Sequence, residues 1–478
     1  MKRRKIVSRI AFLIPNPILD TLLPMVEALE LTNLGSKNIK MHNRLISIML
    51  YISSMNIKHL FLLCILINLI FCSSFSQIQI TENTIGKNFV IPSKILNEER
   101  KIQIFLPEDY DNSSKKYPVI YILDGQRLFL HAVSLSQSFK KFKLTPECII
   151  VGITNTYPKR FGHFSAGAKT FLSFIAQELI PYTDQEFKTS GERLLFGWEY
   201  AGGFVIETMT KNPELFNGYM AASPFPIHDT SLPISANRMK SLDSVLSAKK
   251  KLETFLFFTS STHEGVVTEG TEYLKNKLES EAPDTLRWEY TYLQNEEHRS
   301  TPYHTLYHGL KQYYRYYPEL RFNSLEEYKK LGEMDNVITY YKKRAEQFGF
   351  PEKVAQPTMW NLVKKASDED NYTAFNTFMN QFKPNDFLEH LRTNWGCVFA
   401  AFYMKHNQPE KAKELYVFFN KKSPNSARPV NGLGDVYRAL KNKKEAMMYY
   451  KRAIRLGKKN SDWRLEEYEK DLSDLKNE

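Results

Sequence analysis

Cysteine is scarce, with four residues in 478. That excludes a disulfide-built scaffold. Glycine (20) and proline (22) stay far below collagen-like or low-complexity levels. Neither GxGxxG nor the P-loop pattern GxxxxGK followed by Ser or Thr occurs, so no phosphate-cradling loop is expected. The apolar run at 60–71, LFLLCILINLIF, falls well short of the roughly 20 residues that a membrane-spanning helix needs. A clustered basic face is also lacking. The net charge is +12, but residues 1–54 hold eight Lys/Arg against three Asp/Glu, whereas residues 77–478 hold 56 against 50. The one dense basic cluster, Lys2-Arg3-Arg4-Lys5, lies outside the expected folded part. This argues against nucleic acid as a partner. What the chain does have is 42% apolar and 13% aromatic residues, enough for a sizeable core in two or three domains.

Lys58 and His59 precede the apolar run, and Ser74-Phe75-Ser76 follows it as a small-x-small pattern. This is the layout of a secretory signal peptide over 55–76. Residues 1–54 then read as a mis-called start ahead of Met55, Met49 or Met41, or as a disordered extension. The alternative is a cytoplasmic extension before a signal anchor. Export to the periplasm or the extracellular space is expected. Cleavage after Ser76 would leave only Cys148 and Cys397, both in apolar surroundings that suit buried small hydrophobes.

From 77 to 321, strand-like and helix-like segments alternate. KIQIFL (101–106) and LRWEYTYL (286–293) alternate with period two. YPVIYIL (117–123), ECIIVGI (147–153), RLLFG (193–197), GYMAASP (218–224) and TFLFFTS (254–260) are short apolar strands. Helical spacing runs over 172–187 and 204–210. Continuous apolar strands separated by helices predict an α/β fold with a buried, mostly parallel sheet and helices on both faces. Ligand sites in such sheets lie at the carboxyl ends of the strands.

From 322 to 478 the pattern is helical and repeats. Leu433, Gly434, Tyr437, Ala446, Tyr450 and Ala453 fit tetratricopeptide positions. The same pattern lies 34 residues earlier at Phe399, Ala400, Tyr403, Ala412, Tyr416 and Phe419, closed by Pro424. A weaker unit runs through Leu362, Ala374 and Phe378 to Pro384. Such repeats bind a peptide or protein partner, or cap a neighbouring domain.

RLLFGWEYAGGFVIETM (193–209) has the strand, tight glycine turn and helix of a nucleophile elbow. It resembles the Gly-His-Ser-Leu-Gly-Gly segment of the enterochelin-esterase and S-formylglutathione-hydrolase group, an esterase family of α/β-hydrolases. Leu123-Asp124-Gly125, Gly152–Thr156, Pro213–Phe216, Ala222-Ser223-Pro224 and Glu297-His298 resemble further family segments in the same order, over about 90–320. The resemblance implies the α/β-hydrolase fold and carboxylic-ester hydrolysis. It departs at the centre: Trp198 takes the histidine position, Glu199 the serine position and Ala201 a glycine position.

Serine ester hydrolysis needs an exposed hydroxyl, a base within reach, and N–H donors for the oxyanion. His298 is the candidate base. Glu264, in the loop after TFLFFTS, is the candidate acid, with Glu269 as its substitute. The backbone N–H groups of Tyr200 and of Gly125 or Gln126 are the candidate oxyanion donors. Glu199 has three open roles: an ion pair with His298 that disables the base, a nucleophile, or a general base for water. Ser223 and Ser165 lack elbow spacing. His304 and His308 share a helix face but lack a third ligand, so no metal and no cofactor is expected. Two functions follow. One is an exported esterase-like protein, its activity lost or altered, acting on a small ester, a siderophore or an acylated carbohydrate. The other is a non-catalytic protein that binds a ligand in the hydrolase-like pocket and a peptide on the repeats. A cleft left open over Glu199 and His298 favours the first, and one plugged by Trp198 or Tyr200 favours the second.

Overall fold

Two strands open the described part of the chain, β1 (Lys87–Ser93) and β2 (Glu98–Phe105), paired antiparallel. The structure is a computed structural model and describes residues 84–228, 232–248 and 251–478. The expected signal segment and the 1–54 extension lie outside them. The remaining strands are β3 (Tyr117–Leu123), β4 (Ile149–Ile153), β5 (Thr189–Trp198), β6 (Gly218–Ala222), β7 (Phe255–Ser261) and β8 (Arg287–Leu293). All eight form one sheet in the order β1-β2-β4-β3-β5-β6-β7-β8. β2 pairs antiparallel with β4, and every pairing from β4 to β8 is parallel.

Period-two side-chain alternation sorts each central strand between two cores. On β3, Val119, Tyr121 and Leu123 enter one core, whereas Ile120 and Ile122 enter the other. On β7, Leu256 and Phe258 face the first, and Phe255 and Phe257 the second. The first core is covered by the helical run 168–186 and by the helices Tyr200–Lys211, Pro233–Ser247 and Val266–Glu281. The second is covered by Gly125–Lys141 and Thr301–Tyr313. Burial on both faces is why these strands read as unbroken apolar runs. The expected strand at 193–197 is the end of the longer β5, and the helix expected at 204–210 begins at Tyr200.

After Tyr313 every regular element is helical. The tail meets the hydrolase-like part along an aromatic seam. Phe348 packs against Tyr314 (ring centroids 5.9 Å apart) and Tyr317 (5.3 Å). Arg344 Nε donates to the Tyr317 carbonyl at 3.0 Å, and the Tyr340 hydroxyl to that of Pro318 at 2.8 Å. Among the described residues no helix is long and apolar enough to cross a membrane.

The 34-residue pattern becomes two helical hairpins, Thr393–Lys405 with Pro409–Lys422 and Ala427–Ala439 with Lys443–Asn460. Small residues admit the partner helix's rings. A Cβ on Gly434 would lie 2.4 Å from the Tyr450 ring, and one on Gly396 only 2.0 Å from the Phe419 ring. The second contact explains the large residue at 419, where the later repeat has Ala453. In the first hairpin glycine faces phenylalanine. In the second, Val430 and Ala453 share one cluster. Gly396→Val is therefore expected to destabilise the tail by about 3 kcal/mol through overpacking. Leaving glycine recovers only about 0.5 kcal/mol of helix propensity. Hydrogen exchange over 393–422 checks this: Gly396→Val should lower protection, and adding Phe419→Ala should restore part of it. Unchanged protection in the single variant would contradict the packing argument.

Candidate active site

β5 ends at Trp198, and Glu199 turns the chain into the helix Tyr200–Lys211 with φ 60° and ψ −120°. A glutamate at positive φ is strained, and the surroundings must hold it. They do so through the backbone. The Glu199 N–H donates to the Ala222 carbonyl at 3.0 Å, and its carbonyl accepts from Gly203 (2.9 Å) and Phe225 (3.0 Å). Close approach sets the glycines around it: a Cβ on Gly202 would lie 2.8 Å from the Ala222 oxygen, and one on Gly203 2.3 Å from Arg238 Nη1. The turn presents the side chain at the carboxyl end of the sheet.

His298 and Glu264 are brought together. His298 Nδ1 lies 2.6 Å from Glu264 Oε1, and the Ser261 N–H donates to Glu264 Oε2 at 2.5 Å. Burial pushes the Glu264 carboxyl up, but the bonds from His298, Ser223 and the Ser261 amide outweigh it and hold the carboxyl below its usual range. Glu269 is exposed in the first turn of the next helix, so Glu264 and not its substitute faces the histidine. Ser223 is buried, with its hydroxyl 2.8 Å from that of Thr301, and it follows Ala222, whose carbonyl accepts from the Glu199 N–H. Ser165 donates to the Phe161 carbonyl at 2.6 Å.

Of the three roles left open for Glu199, the ion pair with His298 is not the contact that the structure places there. Among the described residues Glu199 pairs with Arg160, whose Nη2 lies 3.3 Å from Oε2. Arg160 also forks onto Asp124, with Nε at 2.9 Å and Nη2 at 2.8 Å. Asp124 is fully buried, and burial drives its carboxyl above the ordinary value despite Arg160. Burial lowers the Arg160 guanidinium, but Asp124 and Glu199 more than reverse this and leave it raised. The sequence reading missed this network. Asp124 stood out only as a motif residue. Arg160 sits in a short helix, Lys159–His163, whose position no spacing rule marks.

Asp124 is left-handed (φ 55°) and starts the helix Gly125–Lys141. Gly125 and Gln126 open that helix and Tyr200 opens the elbow helix, so all three candidate oxyanion donors sit at helix N-termini, where amides lack intrahelical acceptors by construction. The Gln126 side chain is tied to the backbone of Asn155, accepting from its N–H at 2.9 Å and donating to its carbonyl at 2.5 Å.

Trp198 leans on the dyad. Its indole Nε1 donates to the His298 carbonyl at 3.1 Å, and the two rings lie 5.0 Å apart. The other face of this corner opens into a cleft of about 400 Å³ lined by Arg127, Leu128, Trp198, Arg299, Pro302 and Tyr303. Trp198 thus forms a wall of the cleft and does not fill it, and neither Glu199 nor His298 is among the lining residues, so this is not the cleft over that pair which would favour the esterase reading. Tyr200 packs edge-on between Phe161 (5.0 Å) and Phe225 (5.2 Å). His304 Nε2 contacts Glu296 Oε1 at 3.1 Å, and its ring stacks with that of His308 at 6.4 Å.

A parallel sheet, an elbow at the end of its central strand, and a histidine–acid pair on the loops after β7 and β8 define an α/β-hydrolase-type protein. Residues 93–317 match the family model described as "Putative esterase", and 427–460 match that of the tetratricopeptide repeat. The stretch 93–317 thus has an esterase-like α/β fold and resembles an esterase-family domain, and a helical tail with a tetratricopeptide match follows it. A siderophore enterobactin esterase of Emericella nidulans is 28% identical over 150 residues, covering 24% of this chain and 49% of that protein. The uncharacterised protein YbbA of Bacillus subtilis is 24% identical over 133 residues, covering 24% of this chain and 53% of that one. The chain therefore spans about half the length of these curated relatives. A protein of Capnocytophaga ochracea with a solved structure is 17% identical at a TM-score of 0.49, covering 82% of this chain and 99% of that one. An IroE-like serine hydrolase of Shewanella oneidensis is 24% identical at 0.47, covering 62% and 98%.

Proposed function

We propose that this protein is an esterase-fold ligand-binding protein that has lost serine acyl transfer. One observation carries the reading: the elbow position holds the carboxylate of Glu199, paired with Arg160, where an acyl-accepting hydroxyl is needed. A carboxylate attacking an ester would form a mixed anhydride, a poorer route than a serine ester, and its pairing with a guanidinium weakens it further as a nucleophile. The histidine–glutamate pair stands on the loops beside it, and a cleft walled by Trp198 lies next to that pair, which supports a base held in place and a neighbouring space for a ligand. The ligand class that the relatives suggest is a siderophore-type ester, with an acylated carbohydrate as the other candidate. The tail's repeats support a peptide or protein partner. Export belongs to the same proposal and rests on the signal-like segment at 55–76, so fractionation of cells expressing the full chain tests it separately.

Chromogenic ester hydrolysis and fluorophosphonate labelling of the full chain test the central point. The wild type is expected to show neither. Glu199→Ser is expected to gain labelling and to turn over the ester at least about tenfold above background, because a serine would then face a ready-made base. The intact His298–Glu264 pair favours a second reading, in which His298 or Glu199 activates water directly. Wild-type turnover abolished by His298→Ala would establish that reading and refute loss of activity.

A further inference from the structure

Arg160 holds two carboxylates of different character. Its contact with Asp124 is a two-point fork onto a fully buried group, at 2.9 and 2.8 Å. Its contact with Glu199 is single, longer at 3.3 Å, and made by a side chain 31% exposed. Bidentate pairs out of water are strong and fix geometry, whereas single contacts beside water are weaker and exchangeable. Asp124 therefore anchors Arg160, and Arg160 in turn parks Glu199.

The same strand end also presents a second candidate cation. Trp198, the residue before Glu199, packs on the His298 ring at 5.0 Å and bonds its carbonyl at 3.1 Å. Glu264 occupies Nδ1 of that ring, which leaves Nε2 as its remaining polar edge. Glutamate has three rotatable side-chain bonds, so the direction of the carboxylate at this strand end is set by what it pairs with and not by the backbone alone.

We infer that Arg160 is a positioning residue that keeps the Glu199 carboxylate off His298, and so preserves a histidine–glutamate pair that Glu199 would otherwise engage. A carboxylate on Nε2 would hold the ring protonated and remove it as a base. The inference rests on the elbow geometry, and its readout is proton affinity and not turnover. It can therefore fail while the loss of acyl transfer stands, and the reverse.

The test is an NMR titration of His298 in the full chain labelled at histidine, comparing wild type, Arg160→Gln, Glu199→Gln and the double variant. Arg160→Gln is expected to raise the His298 pKa by about one unit or more, a tenfold tightening of proton binding. Glu199→Gln alone should not raise it, and the double variant should return it to the wild-type value. The other charged groups around the ring stay constant throughout: Glu264 on Nδ1, Glu297 and Arg299 beside it in the chain, and Arg127 across the Trp198 indole. An unchanged titration in Arg160→Gln overturns the inference. So does a rise that persists in the double variant, because the lost charge of Arg160 would then suffice. Arg160→Gln strands buried Asp124, so if it fails to fold, Arg160→Lys replaces it. Lysine keeps a charge for Asp124 but lacks the planar fork that spans two carboxylates, and the same rise and the same reversal by Glu199→Gln are then required.

Discussion

Arg238→Ala is expected to cost about 3–5 kcal/mol and to loosen the structure behind the elbow first. Arg238 is 2% exposed, yet every arm of its guanidinium is bound. Nε donates to Glu207 Oε2 at 3.1 Å, Nη1 to the carbonyls of Phe225 (3.1 Å) and Pro226 (3.0 Å), and Nη2 to that of Phe164 (2.8 Å). Burial lowers its pKa, with Glu207 acting in opposition. Truncation would leave three carbonyls without this donor and leave Glu207 dependent on Lys211, which is 40% exposed. The Phe225 amide is also bonded to the Glu199 carbonyl, so the damage should reach the turn itself. Arg238→Met, with similar bulk and no donors, should be nearly as harmful. The double change Glu207→Met with Arg238→Met should recover part of the loss, because it removes the charge as well as its partner. Thermal unfolding and near-ultraviolet circular dichroism measure this. An alanine variant within about 1 kcal/mol of wild type would refute the bonding argument.

Asp435→Asn is expected to stabilise the tail most at alkaline pH and to leave it unchanged below about pH 4. Asp435 is pushed from the ordinary 3.8 up to about 7, first by burial and then by the nearby charges of Asp471 and Glu467, although the Tyr450 hydroxyl donates to it at 2.7 Å. The folded state therefore binds a proton more tightly than the unfolded chain does. Stability from this group is complete below about pH 4 and is lost as the pH rises through about 7. The difference between the two values corresponds to roughly 4 kcal/mol at pH 8, as an upper figure. Asparagine retains an acceptor for Tyr450 and has no proton to lose. Hydrogen exchange over 427–478 at pH 5 and pH 8, corrected for intrinsic rates, should show the variant better protected at both values, by roughly 1.5 kcal/mol at pH 5 and roughly 4 kcal/mol at pH 8. Equal protection at both values would rule out a raised pKa at Asp435.

The parallel core was legible because burial on both faces demands unbroken apolar strands, and YPVIYIL or TFLFFTS can hardly be anything else. The elbow was legible because Gly197 and Gly202 flank a turn after such a strand. Glu264 and His298 were placed by the order of the loops that follow β7 and β8, and the structure joins them at 2.6 Å. The helix Gly125–Lys141 was not assigned, since Ser134, Ser136 and Ser138 alternate through its second half and are weak helix formers. Its apolar stripe of Leu128, Phe129, Ala132, Val133 and Phe139 becomes evident only once the sheet is there to receive it. β1 was missed because an edge strand buried on one face, with Pro92 inside it, carries little periodic signal. Arg160 was invisible for another reason. Its partners lie 36 and 39 positions away in sequence, at Asp124 and Glu199, and no local pattern encodes a contact closed by two separate strand ends.

The exchange of volume between the two helical hairpins has a consequence for how this tail can be copied or recombined. In one hairpin a glycine faces a phenylalanine, and in the next a valine faces an alanine. Crossing their helices would set Val430 against Phe419 and Gly396 against Ala453, jamming one contact and hollowing out the other. The two units keep a common period but are lock and key only within themselves. Duplication of whole hairpins is therefore open to this sequence, whereas a crossover inside a hairpin breaks two packings at once.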